Sequence, residues 1–425
     1  MARIVLATIG SLGDLHPFIA IGRALAAQGE QVLLAVPEDG LAKVRAAGLD
    51  AAPILPSYAD ICERLGISPE DAAARVIADP DFVIDEILLP SLHTSTLALD
   101  ELAADADVLA GSIFAFAAGI VAEKRRLPLA TVVLQPMTLF SAWQPPTAPR
   151  FEMMRHNPHT ALGRSWNRAF SSLARALLRR RHAARIDAVR AEHGLRPSEG
   201  APMLDHGPAT RAVLCCWSAA LGALPPDAPR EAALVGFPFF DSESGAEEML
   251  APELNSFLDQ GDAPLIFTLG SFAVASAGGF YEEAAAASRA LGKRALLLTG
   301  QPAAPRLDGD CLFMGYAPHS AVFPRAAAVI HHGGIGTTGQ ALRAERPQIV
   351  VPHFGDQFDN AARLQSAGIG MTIRRERFER DLAARVISRV LSDPDMARAA
   401  QRAARMMADE DGAAAAAHCI AGLRP

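Results

Sequence analysis

The chain has 425 residues, half of them apolar and a fifth charged, with few aromatics and a formal charge of -7. That length exceeds what one hydrophobic core organises and points to two domains. The acidic balance argues against a general nucleic-acid binder. Cys62, Cys215, Cys216, Cys311 and Cys419 make an odd set without metal-like spacing. They read as buried free thiols in a reducing cytoplasm.

The opening run Met1–Gly10 is apolar, too short to span a bilayer, and lacks a cleavage site after a longer apolar core. It reads as the first buried strand of a parallel sheet. No later stretch is long and apolar enough to cross a membrane. Short apolar runs then alternate with helix-period segments, the pattern of βα units around parallel sheets. Strands are expected at Ile4–Thr8, Gln31–Ala35, Val108–Ala110, Ala130–Leu134 and Ala212–Cys216. A second set follows at Leu265–Thr268, Ala295–Thr299, Cys311–Met314, Ala328–His331 and Gln348–Val351. Two sets that each start afresh predict two doubly wound domains.

Between Phe151 and Leu195 seven arginines, from Arg164 to Arg185, decorate a helical pattern that carries Leu173, Leu177, Leu178 and Ile186. Two readings stay open: a solvated basic face, or an amphipathic face for peripheral contact of the 164–185 segment with anionic lipid or an amphiphilic substrate. The run Gly236–Gly245 turns from apolar to Pro, Gly and Ser, which sets a domain boundary near residues 237 and 238. Near the end, Ala413–Ala417 belongs to a terminal helix.

The densest chemical signal is His331-His-Gly-Gly-Ile-Gly-Thr-Thr338, a Gly-rich turn between a buried strand and a helix. A helix N-terminus presents unpaired N–H groups and positive partial charge, which suits a phosphate. Glycines let the backbone approach the anion closely. Thr337 and Thr338 add hydroxyl donors, and His332 a ring N–H. Gly334-Ile-Gly336-Thr-Thr-Gly339 also has the form of a dinucleotide fingerprint. It lies late in the chain and follows two histidines, so the diphosphate stands and the nicotinamide does not.

These residues bring out a resemblance to the GT-B glycosyltransferases of the UDP-glycosyltransferase superfamily. It runs through Tyr316-Ala-Pro-His319, Ala328–Thr338, Ala341-Leu-Arg343, Pro347–Pro352 and Gly355-Asp-Gln-Phe-Asp-Asn-Ala361. Gly10–Phe18, Gly236–Asp241 and Gly270-Ser271 extend it over nearly the whole chain. Within the superfamily the sequence looks most like the rhamnosyltransferase of rhamnolipid synthesis and related bacterial enzymes. The resemblance implies two Rossmann-like domains facing a cleft, an acceptor domain over 1–237 and a nucleotide-sugar domain over 238–398. It also implies a C-terminal helix, 399–425, that returns to the first domain. The donor is a nucleotide-diphosphate sugar, uridine- or thymidine-linked, and no other cofactor is implied. His332 would face the phosphates, with Gly334, Gly336, Thr337 and Ser271 supplying further donors. Tyr316 and Ala317 would border the nucleobase. Gln340 stands where many relatives hold the ribose with a glutamate, and Asp356 and Gln357 would bind the sugar hydroxyls.

Inverting transfer needs a base for the acceptor hydroxyl. Asp14 and His16, in Gly13-Asp-Leu-His-Pro17, are the candidates. His16 has the more convenient ordinary pKa. The resemblance favours Asp14, because many relatives carry their catalytic histidine three residues before this proline. The partner aspartate of those relatives corresponds to Ser112 here. A structural alternative is that Asp14 caps a helix starting near Pro17. Acceptor-lining candidates are Leu12, Phe114, Phe116, Met137, Phe140 and Trp143, an apolar set suited to a lipid or polyketide-like alcohol. No paired aspartates accompany the donor motif, so no catalytic metal is expected. Two other functions remain: an epimerase acting on the nucleotide sugar, and a non-catalytic partner of another transferase.

Overall fold

The computed structural model describes residues 1–424 except 80, 155, 243, 247–249, 271–272 and 302–303. The chain forms two α/β units, each with a seven-stranded sheet. The first unit comprises residues 1–72, 79–240 and 411 onward, and the second residues 73–78 and 241–410.

In the first unit the strands are β1 (Arg3–Ala7), β2 (Gln31–Pro37), β3 (Asp50–Leu55), β4 (Val108–Ser112), β5 (Leu129–Val133), β6 (Thr210–Cys215) and β7 (Ala232–Leu234). They lie in the order β3-β2-β1-β4-β5-β6-β7 and every pairing is parallel. Parallel strands covered on both faces need apolar side chains on both, so β1, β4 and β5 are buried almost throughout.

In the second unit the strands are β8 (Leu265–Thr268), β9 (Ala295–Leu298), β10 (Arg306–Asp308), β11 (Cys311–Met314), β12 (Ala328–His331), β13 (Gln348–Val350) and β14 (Gly370–Thr372). Their order is β10-β11-β9-β8-β12-β13-β14. Only β10 runs antiparallel, as an exposed hairpin edge to β11. The core on one face gathers Leu265, Phe267, Leu297, Ile330 and Ile349, and on the other Ile266, Leu296, Leu312 and Val329. Emptying one such site, as in Phe267→Ala, costs about 3–5 kcal/mol.

Four strands were absent from the sequence reading. β3 (Asp-Ala-Ala-Pro-Ile-Leu) and the exposed β10 (Arg-Leu-Asp) carry no continuous apolar run, while β7 and β14 have three residues each. The basic segment is one helix of 32 residues, Ala161–Glu192, whose Thr160 cap accepts the Gly163 N–H. At the C-terminus, residue 399 lies inside helix Pro394–Met407, which packs on helix Ile335–Arg343 within the second unit. It is helix Gly412–Ala421 that rejoins the first unit and packs along helix Leu12–Ala27. Gly412 is required there, since a Cβ would sit 2.5 Å from the Gly236 carbonyl. Among the described residues, no helix is long and apolar enough to cross a membrane.

Candidate active site

Each sheet reverses its strand order once, and loops diverging at such a point leave a crevice at the carboxyl ends of the strands. In the second unit the reversal falls between β8 and β12, which end in register, Thr268 beside His331. Both strands therefore deliver their following loops to one place.

After β12 the chain runs through His331, His332 and Gly333 to Gly334, the residue that opens helix Ile335–Arg343. Nδ1 of His331 accepts the Gly333 N–H at 3.1 Å. Its Nε2 must then carry the proton and donate to Gln348 Oε1 at 2.8 Å. Burial holds this imidazole neutral, with its pKa pushed down to about 4. Gly333 has φ +93°, and a Cβ there would lie 2.6 Å from Val350 Cγ1. Thr338 N–H closes the first turn onto the Gly334 carbonyl at 2.9 Å. The N–H groups of residues 335–337 precede it, and among the described residues no side chain caps them. These are the donors an anion needs.

His332 stands over this turn between two glycines. A Cβ on Gly270 would come within 2.5 Å of its Cε1, and one on Gly334 within 2.3 Å of its Nε2. Gly270 bends the chain there with φ +69°, its N–H bonded to Thr268 Oγ1 at 3.2 Å. Burial holds His332 well below its ordinary pKa, reinforced by His331, His353 and His319; the Thr268 carbonyl opposes them. It is thus a neutral imidazole, and among the described residues its buried Nδ1 has no partner. Thr338 Oγ1, fully buried, likewise lacks one among the described residues. Such groups are costly unless something satisfies them.

The loop after β13 adds the second half. Gln357 Oε1 accepts the N–H groups of His353 and Phe354 at 2.7 and 3.2 Å, which leaves its amide nitrogen to donate. Asn360 Nδ2 joins the Gly333 carbonyl, at 2.9 Å, to Asp356 Oδ2, at 2.8 Å. That amide fixes the acid relative to the glycine turn. Burial raises the Asp356 carboxyl to about 6, against the Asn360 hydrogen bond that lowers it. His353 donates from Nδ1 to the Val351 carbonyl at 2.8 Å and is itself pushed down to about 4 by burial.

The remaining donor-side residues have defined places. Tyr316 donates its hydroxyl to Asp241 Oδ1 at 2.8 Å. The Ala317 side chain is in the core beside Val322 and Phe323, so only its backbone can border a ligand. Thr337 is buried in the first turn, and a Cβ on Gly336 would meet open space. Gln340 is buried, and its Oε1 accepts from Arg343 Nη2 at 2.7 Å, leaving chiefly its amide nitrogen for another partner. Ser271 lies outside the described residues.

In the first unit the reversal falls between β1 and β4, where Ala7 pairs with Gly111. Helix Leu12–Ala27 follows β1 directly. It begins five residues before Pro17, which sits inside it and not at its start. Ser11 is the cap, and Asp14 completes a capping box by accepting the Ser11 N–H on Oδ2 at 3.1 Å. Asp14 is half-buried at the head of the helix. Its carboxylate requires Gly10 at φ +135°, since a Cβ there would lie 2.2 Å from Oδ2. His16 packs edge-on against Phe240 at 5.3 Å. Ser112, at the end of β4, holds a buried Oγ without a partner among the described residues.

Leu12, Phe114, Phe116 and Met137 are half-buried in the loops and helix starts after β1, β4 and β5. Phe140 differs from the expectation. It is buried in a small core with Ala201, Leu204 and Phe151, held by packing against helix Ala161–Glu192. Trp143 lies at the surface with the Arg164 guanidinium 4.1 Å above its ring.

A profile described as the C-terminal domain of erythromycin biosynthesis protein CIII-like proteins matches residues 301–421, which contain the whole glycine turn and the 353–360 loop. O-mycaminosyltylonolide 6-deoxyallosyltransferase of Streptomyces fradiae is 32% identical over 428 residues, covering 96% of this chain and 94% of its own. The chain belongs to the UDP-glycosyltransferase family of GT-B fold. Glycosyltransferase GtfE of Amycolatopsis orientalis is likewise 32% identical, over 383 residues, 87% of this chain and 85% of its own. The spinosyn rhamnosyltransferase SpnG, solved with thymidine diphosphate, superposes with a TM-score of 0.66 at 21% identity, covering 99% of this chain and all of its own.

Two residues of this glycosyltransferase's site escaped the sequence reading: His353, and Asn360 as the bridge between turn and acid. Asn360 lies inside the motif run 355–361, so its presence was visible. Its role depends on a contact across 27 positions of chain.

Proposed function

We propose that this enzyme transfers a hexosyl group, with inversion and without a metal, from a dTDP- or UDP-linked sugar to a hydroxyl of a hydrophobic natural product or lipid. The observation that carries the reading is His332, neutral and wedged between Gly270 and Gly334 over an uncapped helix N-terminus. Backbone N–H groups and a neutral ring N–H stabilise the charge that grows on a leaving diphosphate without giving up a proton. Ionised Asp356 and the Gln357 amide then hydrogen-bond the sugar hydroxyls, and Tyr316 and Gln340 the nucleoside. Asp14 takes the proton of the acceptor hydroxyl as that oxygen attacks the anomeric carbon and the bond to the diphosphate breaks.

The relatives' names support the substrate classes: one transfers 6-deoxyallose to a tylonolide, and one was solved with thymidine diphosphate. Leu12, Phe114, Phe116 and Met137 supply apolar surface for such an acceptor. The five cysteines are free thiols, which suits a reducing cytoplasm.

The test is incubation with dTDP- and UDP-sugars and a panel of hydrophobic alcohols, following diphosphate release and the anomeric configuration of product by NMR. Alcohol-dependent release with inversion, unaffected by EDTA, is expected. Conversion of the donor without an alcohol would make the protein an epimerase, and no donor binding a non-catalytic partner.

A further inference from the structure

We propose that helix Ala161–Glu192 docks the protein on an anionic lipid bilayer. Over its first five turns the helix inverts the pattern of a surface helix. Its buried positions are Gly163, Asn167 and Ser171, and its exposed ones include Leu162, Trp166, Leu173 and Leu177. The inward polar groups are satisfied: Asn167 Nδ2 donates to the Ala142 carbonyl at 3.0 Å, and Ser171 Oγ to the Phe140 carbonyl at 3.1 Å. The outward residues are not marginally placed, for Leu162 is 83% exposed, Leu177 58% and Leu173 52%. Steps of four, seven and four residues put them on one stripe about 22 Å long. Trp166 joins the stripe to Met153, which is 71% exposed, by donating Nε1–H to its carbonyl at 2.9 Å.

Charge selects the occupant. From Ala161 to Ile186 the helix has seven arginines and no acid, in a chain of net charge -7. Arg175 pairs with Asp205, Arg181 with Asp81 and Asp85, Arg185 with Asp85, and Arg164 covers Trp143. Among the described residues, Arg168, Arg179 and Arg180 have no carboxylate partner. Arg179 and Arg180 also border a shallow groove of about 520 Å³ with Arg175, Glu199 and Asp205, whose balance is positive. A second copy docked by two-fold symmetry through this face would set arginines against arginines. Leucines and a tryptophan flanked by unpaired arginines instead match the acyl-chain boundary below a layer of anionic headgroups.

Sedimentation of the full chain with phosphatidylcholine vesicles, with and without phosphatidylglycerol, tests this. Binding only to the anionic vesicles, weakening as salt rises, is expected. Arg168→Gln/Arg179→Gln/Arg180→Gln lowers the partition about a hundredfold, at the scale known for three basic residues near a charged surface. Leu173→Glu/Leu177→Glu abolishes it. Both variants change exposed residues, so circular dichroism and nucleotide affinity stay as in the unmodified chain. Absence of binding, or binding undiminished in both variants, overturns the proposal. Self-association lost in the Leu→Glu variant, without vesicle binding, would assign the stripe to a second copy.

Discussion

Gly270→Ala tests whether the donor site depends on the ring of His332 being held between glycines. At φ +69° a side chain costs about 1–2 kcal/mol. The new Cβ would lie 2.5 Å from His332 Cε1, whereas carbon atoms pack at about 3.5–4.0 Å. The ring must retreat by about 1 Å, and Gly334 occupies the other flank. A hydrogen bond to a charged group contributes roughly 1.5–3 kcal/mol, so its loss weakens nucleotide binding about ten- to a hundredfold. The backbone strain lowers Tm by about 2–8 °C. Calorimetric titration of dTDP and UDP into Gly270→Ala, His332→Ala and the double variant separates the causes. If the glycine acts through the ring, the double variant binds no more weakly than His332→Ala. Full additivity, or Gly270→Ala binding as tightly as the unmodified chain, would refute the reasoning.

Asp14→Asn keeps an oxygen for the Ser11 N–H, so the helix start and nucleotide affinity survive while kcat falls about 10²–10⁴-fold; His16→Ala behaving this way in its place would move the base to His16. Acid stability has a defined sign. His331 and His353, pushed down to about 4, and His332, held well below its ordinary value, leave the unfolded chain with more bound protons as pH falls from 6.5, so stability drains over that window. Asp356, raised to about 6, acts oppositely between pH 6 and 4, because its folded form takes the proton first. Three imidazoles outweigh one carboxyl, so Tm falls on acidification, and Asp356→Asn makes the fall steeper in a thermal scan. Gln357→Ala removes the acceptor of two backbone N–H groups, costing about 1–3 kcal/mol of stability and raising the donor KM, both measurable on one preparation.

What could be read beforehand follows from how local each signal is. β1, β8 and β12 are unbroken apolar runs because both of their faces are covered, and period alone locates them. The diphosphate turn is contiguous in sequence, so its glycines, helix start and histidines were legible together. β3 was not, because Pro53 breaks the run into two short pieces while its partner β2 supplies the pairing. The neutral state of His332 was beyond reach, since it arises from burial among His331, His353 and His319. Phe140 looked like pocket lining because an apolar residue in a loop carries no mark of which neighbour covers it. The start of the first helix was misplaced because a proline often opens a helix, whereas here Ser11 and Asp14 form the cap and Pro17 follows in the second turn.

The central claim is that the turn 332–338 holds the diphosphate of a nucleotide sugar. A crystal structure with dTDP bound tests it most directly. Phosphate oxygens are expected within hydrogen-bond reach of the His332 ring and the N–H groups of residues 335–337, with Asp356 and Gln357 beyond the terminal phosphate. Nucleotide bound away from this turn, or bound there with His332 turned out from between Gly270 and Gly334, would contradict it.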